Sequence, residues 1–156
     1  MLANHVAQEM KIQFEIEINA TPEKVWTKLA SAEGMAEWFS KHLIFEFHQG
    51  GEFKMDVNYG DEGEFTFFGK VVKIDPPREL AFTWTEQEKG KEPWPVSTLV
   101  SFKLDPTAAG TRVTLTHSGF EALDATVARP EYEGHIVGWE RSAVLQDLKA
   151  SVEKAG

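Results

Sequence analysis

The stretch Ile12-Gln13-Phe14-Glu15-Ile16-Glu17-Ile18-Asn19-Ala20-Thr21-Pro22-Glu23-Lys24-Val25-Trp26 changes its hydrophobic period partway along. Ile12, Phe14, Ile16 and Ile18 alternate with Gln13, Glu15, Glu17 and Asn19. Successive strand side chains point to opposite faces, so this is a strand with one buried face. At Thr21 the period becomes helical. Thr offers an N-cap oxygen, Pro22 fits the first helical position, and Glu23 suits the positive end of the helix. Val25, Trp26, Leu29 and Ala30 then share one stripe. A second short helix is expected over Ala32–Trp38, weakened by Gly34.

Downstream the chain reads as strands separated by turns. Phe53, Met55 and Val57 alternate, and residues 59–63 make a turn. Phe65, Phe67 and Gly69 share one phase while Val72 and Ile74 take the other, which predicts a β-bulge near Lys70–Val71. Asp75-Pro76-Pro77-Arg78 ends that strand, and Leu80, Phe82 and Trp84 form the next. Residues 86–95, with Trp94 among them, read as a polar loop. Val96, Thr98, Val100, Phe102 and Leu104 follow, then a turn over residues 105–110, then Val113, Leu115 and His117. Strands at this spacing imply an antiparallel meander. After a connection interrupted by Pro130, a helix is expected from about Glu133 to Lys154. Its apolar residues fall on two arcs: Val137, Val144, Leu145, Leu148 and Val152 on one, Ile136, Trp139, Ala143 and Ala150 on the other. A surface helix needs one stripe, so two arcs place this helix inside a concave sheet. The expected fold class is α+β: a curved antiparallel sheet of about six or seven strands around a long C-terminal helix, with two short helices after the first strand. Residues 1–156 form one domain on this reading, with an ordered core over about 12–153.

Composition bounds the function. The chain has 156 residues, 42% apolar and 26% charged, which is globular rather than disordered. A net charge of −9 with no basic cluster argues against nucleic acid and against anionic membrane surfaces. The absence of cysteine excludes disulfides, thiolate catalysis and cysteine-based metal sites. Residues 1–11 lack the charged and apolar regions of a signal peptide, and no run is long enough for a membrane span, so a cytoplasmic location is expected. His5, His42, His48, His117 and His135 include no pair at helical metal-site spacing, so neither a metal nor a cofactor is expected. The acidic residues read as solvated surface, and no catalytic pair stands out.

Several segments together resemble a known family. The strand followed by Thr21-Pro22-Glu23-Lys24-Val25-Trp26 is similar to the opening of the START-like superfamily, also called SRPBCC, whose members share the helix-grip fold. Glu37-Trp38-Phe39, Gly50-Gly51-Glu52-Phe53, Gly69 through Leu80, Phe82-Thr83-Trp84, Gly110 through Phe120 and Gly138-Trp139 resemble one branch of it. That branch is related to the C-terminal domain of activators of the ninety-kilodalton heat-shock chaperone ATPase. The resemblance runs from about Ile12 to Val152. It implies the helix-grip fold and, among relatives, lipid and hormone binders, aromatic cyclases and chaperone co-factors.

Eleven Phe and five Trp against two Tyr make the aromatic set the best candidate for a site. Trp38, Phe39, Phe53, Met55, Phe67, Phe82, Trp84, Phe102 and Trp139 are the candidate ligand-binding residues, with His117 as a polar anchor. Each also fits a plain core position, and His117 fits a core histidine bonded to a backbone carbonyl. Trp84 and Trp139 are expected on facing walls of one cavity. The first functional reading is a non-enzymatic module for a small apolar ligand, lipid-like or aromatic. The second is a chaperone-associated interaction protein, and the third a cyclase- or hydrolase-type enzyme. An open cavity favours the first, a collapsed one with an exposed apolar patch the second, and a buried carboxylate or histidine pair at the cavity the third.

Overall fold

The six alternating segments and a short strand at Leu43–Phe45 that they did not include form seven strands, in a computed structural model that describes residues 10–40 and 43–154. They are β1 (Ile12–Ile18), β2 (Leu43–Phe45), β3 (Glu52–Asn58), β4 (Glu64–Asp75), β5 (Glu79–Glu88), β6 (Thr98–Pro106) and β7 (Thr111–Ser118). One antiparallel sheet holds them in the order β1-β7-β6-β5-β4-β3-β2. The first strand therefore pairs with the last, Ile12 opposite His117 and Ile18 opposite Thr111. Between β1 and β2 lie α1 (Pro22–Leu29) and α2 (Ala32–Trp38), and after β7 come α3 (Ala125–Ser142) and α4 (Val144–Lys154). This is the expected helix-grip arrangement.

Local chemistry sets the boundaries. Thr21 Oγ1 accepts from the Lys24 N–H at 3.3 Å, and Ser31 Oγ accepts from the Gly34 N–H at 3.0 Å, capping α1 and α2. Trp38 Nε1 donates to the Lys28 carbonyl at 2.8 Å and pins α2 on α1. Gly34, expected only to weaken α2, is required there. A Cβ at that position would lie 2.3 Å from the Lys28 carbonyl oxygen.

The bulge falls where the phase flip placed it, between Val71 and Lys73 of β4, leaving Val72 as the extra, exposed residue. Thr83 approaches β4 just before it. A Cβ on Gly69 would sit 2.0 Å from the Thr83 carbonyl oxygen, while Thr83 Oγ1 accepts from the Lys70 N–H at 2.8 Å. Strand β4 bends here, and its first half, carrying Phe65 and Phe67, becomes a wall distinct from the half that holds Val71 in the core.

The last helix departs from expectation. It begins at Ala125 and carries Pro130 in its interior, where the missing N–H leaves the Thr126 carbonyl without its helical donor. Both residues are exposed, so water can serve that carbonyl. The helix then breaks at Ala143, which has a left-handed φ of 55°. The break resets the helical phase, so residues on either side of it do not share one wheel. Val144, Leu145, Leu148 and Val152 are buried as the first arc requires, yet Val137 from that arc is 42% exposed. Trp139 of the second arc is buried, whereas Ala150 is exposed. In the fold α4 packs on β1, α1 and α2, and α3 on β1 and the turn at Phe120–Ala122. Among the described residues, no helix is long and apolar enough to cross a membrane.

Leu148, on α4, is fully buried. Leu148→Ala is expected to lower stability by about 2–5 kcal/mol in urea unfolding. A loss below about 0.5 kcal/mol would place α4 outside the core.

Candidate functional site

A cavity of about 880 Å³ lies between α3 and the half of the sheet formed by β3, β4 and β5. Strand alternation builds one wall: Met55 and Val57 from β3, Phe65 and Phe67 from β4, Trp84, Glu86 and Glu88 from β5. Glu131, His135, Gly138 and Ser142 build the other, at the spacing of one helical stripe. Gly134 and Gly138 widen it, since a Cβ on either would meet nothing within 4 Å. Phe39 and Trp139 close the inner end, stacked with centroids 6.4 Å apart, and exposed Tyr59, Glu62 and Val137 form part of the rim.

The floor is polar. Glu86 Oε1 accepts from Trp84 Nε1 at 3.2 Å and from His135 Nε2 in a short bond. His135 Nδ1 donates to the Glu131 carbonyl at 2.7 Å. Both ring nitrogens thus face acceptors, which favours the imidazolium. Burial alone would lower the His135 pKa. The bond and charge of Glu86, with those of Glu131, outweigh it and raise the pKa above its ordinary value. Glu131 is itself raised, by burial and then by repulsion from Glu86.

His117 lies one layer deeper and is in the opposite state. Thr98 Oγ1 donates to the Trp84 carbonyl at 2.9 Å, so toward His117 Nε2, 2.7 Å away, it accepts. His117 Nδ1 accepts from Trp139 Nε1 at 3.0 Å. This assigns the neutral Nε2–H tautomer. Burial, and then the charge of His135, push the His117 pKa well below its ordinary value. The two rings are 5.3 Å apart.

Of the ten residues singled out by sequence, Phe39, Met55, Phe67, Trp84 and Trp139 line the cavity. Trp38, Phe53, Phe82 and Phe102 do not reach it. They fill the core beneath, Trp38 against Phe102 and Phe53 against Phe82. His117 does not reach it either, being covered by Trp84 and Trp139, and its partners are a hydroxyl and an indole rather than a backbone carbonyl. Trp84 and Trp139 meet at 5.6 Å as neighbours instead of facing each other across the space. Trp94, expected in a polar loop, packs half-buried 5.7 Å from His135, and its backbone N–H donates to the Glu86 carbonyl at 2.9 Å.

Glu86 lies beyond the strand expected over Leu80, Phe82 and Trp84, which runs on to Glu88. Leu80, Phe82, Trp84 and Glu86 share one phase, and Glu86 is only 7% exposed rather than solvated. His135 was missed because no histidine pairs with it in sequence, although Glu131 stands four residues before it. Donor atoms of Glu86, Glu131 and His135 lie within 4.8 Å of one another, the one such group among the described residues. A cation bound by Nε2 there would have to displace the proton shared with Glu86. His5 and His42 lie outside the described residues.

The two histidines give stability opposite dependences on pH. His135 is raised above its unfolded value of about 6.5, so its contribution is complete below that pH and is lost as pH rises through the folded pKa. His117 is lowered, so it costs stability as pH falls below about 6.5. His135→Gln is expected to cost roughly 1–3 kcal/mol on the acid side. The gap from the parent protein should shrink as pH rises, followed by urea midpoints between about pH 6 and pH 9. A gap that widens with pH would refute the imidazolium.

Comparison with known proteins places this geometry. A protein from Mesorhizobium loti is 24% identical, with a TM-score of 0.72, over 94% of this chain and 98% of its own. A Rhizobium loti protein is 22% identical, with a TM-score of 0.71, over 92% and 97%. The Aha1 dimer from Colwellia psychrerythraea, solved in solution, is 24% identical, with a TM-score of 0.64, over 92% and 96%. These likenesses show the fold. No curated protein matches the sequence. The family model described as Activator of Hsp90 ATPase homolog 1-like protein matches residues 19–153, and the chain belongs to that family, on the START-like (SRPBCC) fold.

Proposed function

We propose that this protein is a small-molecule binding module that holds an apolar, aromatic body between α3 and the wall of β3, β4 and β5. The supporting observation is the cavity itself. At about 880 Å³ it falls in the range of ligand pockets, and aromatic side chains line it above a few placed polar groups. The family description points toward an Hsp90-type chaperone as partner, but a contact made only with a chaperone has no need of such a cavity. The open cavity therefore supports the binding reading ahead of that one.

One observation favours a second reading. The Glu86–His135 pair borders the cavity, and a carboxylate bonded to an imidazole is one arrangement that supports proton transfer to a bound substrate, once His135 Nδ1 leaves the Glu131 carbonyl. On that reading a bound ligand is chemically altered during long incubation, as mass spectrometry would detect. An unchanged ligand leaves the carrier reading in place.

Titration with a neutral flat aromatic such as flavone is expected to give a saturable change in tryptophan fluorescence through Trp84 and Trp139. Phe67→Ala, which removes one wall, should weaken binding about fivefold. Trp139→Ala is the poorer probe, because it leaves the buried His117 Nδ1 without its donor and should cost stability. The absence of a saturable signal across a neutral apolar panel would overturn the binding reading.

A further inference from the structure

We propose that the ligand of this cavity is an organic cation, an aromatic or apolar body bearing a protonated amine; this rests on the binding reading above. Four carboxylates line the cavity, those of Glu62, Glu86, Glu88 and Glu131. Among the described residues no lysine or arginine lines it, and its one cationic group, His135, is committed to Glu86 Oε1 and the Glu131 carbonyl. Glu88 is partly offset by exposed Lys91, 3.3 Å away, a pair that solvent screens.

Glu86 supplies the independent observation. Its Oε1 takes both bonds, from Trp84 and His135, while Oε2 has no hydrogen-bond partner among the described residues. No buried side-chain polar atom there is left unpaired, so Oε2 of this 7% exposed residue keeps accessible surface, on a side chain that lines the cavity. A mostly desolvated carboxylate oxygen at an aromatic chamber calls for a donor bearing positive charge. The aromatic lining of Trp84, Phe65 and Phe67 suits the same group, because a cation is attracted to aromatic rings. Tyr59 at the rim registers this field: after burial, Glu86 and Glu62 raise its pKa. An anionic head, such as that of a fatty acid, meets repulsion here. A bare metal ion would leave most of the apolar wall uncovered and would compete with the His135 proton.

Three probes of one aromatic body separate the terms: 2-naphthylmethylammonium, 2-naphthylmethanol and 2-naphthoate, titrated by calorimetry near pH 7 in low salt. The ammonium is expected to bind about tenfold or more tighter than the alcohol, with no saturable heat from the naphthoate. Glu86→Gln keeps an acceptor for Trp84 and His135. It should bring the ammonium to within about threefold of the alcohol. Glu131→Gln, at a half-buried helix position, should reduce the preference in the same direction if Glu86→Gln proves poorly folded. Equal binding of ammonium and alcohol, tighter binding of naphthoate, or a preference that survives both variants overturns this inference and leaves the binding reading standing. If none of the three binds, this inference falls, and the binding reading is decided by the neutral panel.

Discussion

Two polar ties fasten α3 to the sheet, and the cavity exists because they hold the helix at a distance. Glu86 on β5 reaches His135, and His117 on β7 reaches Trp139. Immediately before each of these points on α3, Gly134 and Gly138 present no side chain to fill the gap. A helix packed on a sheet by apolar contact alone would settle until the space closed, since each exposed apolar group gains from burial. A buried charged pair is costly to desolvate, and its replacement by apolar side chains is often neutral or stabilising. The Glu86–His135 pair is therefore better understood as setting position and charge than as a source of net stability.

The break at Ala143 divides the labour of the C-terminal segment. Beyond it, α4 buries Val144, Leu145, Leu148 and Val152 against β1, α1 and α2, and so belongs to the core. Before it, α3 buries little apart from Ala128 and Trp139 and turns a polar stripe toward the cavity. A left-handed non-glycine residue costs on the order of 1–2 kcal/mol, which the packing of α4 offsets. The sheet is divided in a matching way. The bulge at Val72 and the close approach at Gly69 bend β4, so that Phe65 and Phe67 stand beside the cavity while Val71 stays in the core.

The charge relation between the histidines follows from order in the hydrogen-bond chain. The Trp84 carbonyl takes the Thr98 proton, Thr98 takes the His117 Nε2 proton, and His117 takes the Trp139 proton. The chain is complete with a neutral ring. His135, 5.3 Å away, is bounded by a carboxylate and a carbonyl, and its charge further disfavours protonation of His117. Two residues of one type thereby take different roles, one structural and buried, the other at the cavity surface.

Much of this was legible in the sequence, because period and punctuation are local. The alternation of Ile12 to Ile18, the cap at Thr21 and the phase flip around Val72 each depend on neighbours within a few residues. The cavity's composition was half legible. Phe39, Met55, Phe67, Trp84 and Trp139 were distinguished by type and phase, but so were Phe53, Phe82 and Phe102, and nothing local separates a wall from a core. The helical wheel failed across Ala143, because a single left-handed residue changes the phase without changing the pattern. Glu86 and His135 are far apart in the chain and become a pair only when β5 and α3 face each other. Sequence alone determined six of the seven strands, the two early helices and the family they belong to. The tertiary structure decided which aromatics bound empty space, which histidine carries charge and where the buried carboxylate sits, because burial and long-range pairing are properties of the folded chain.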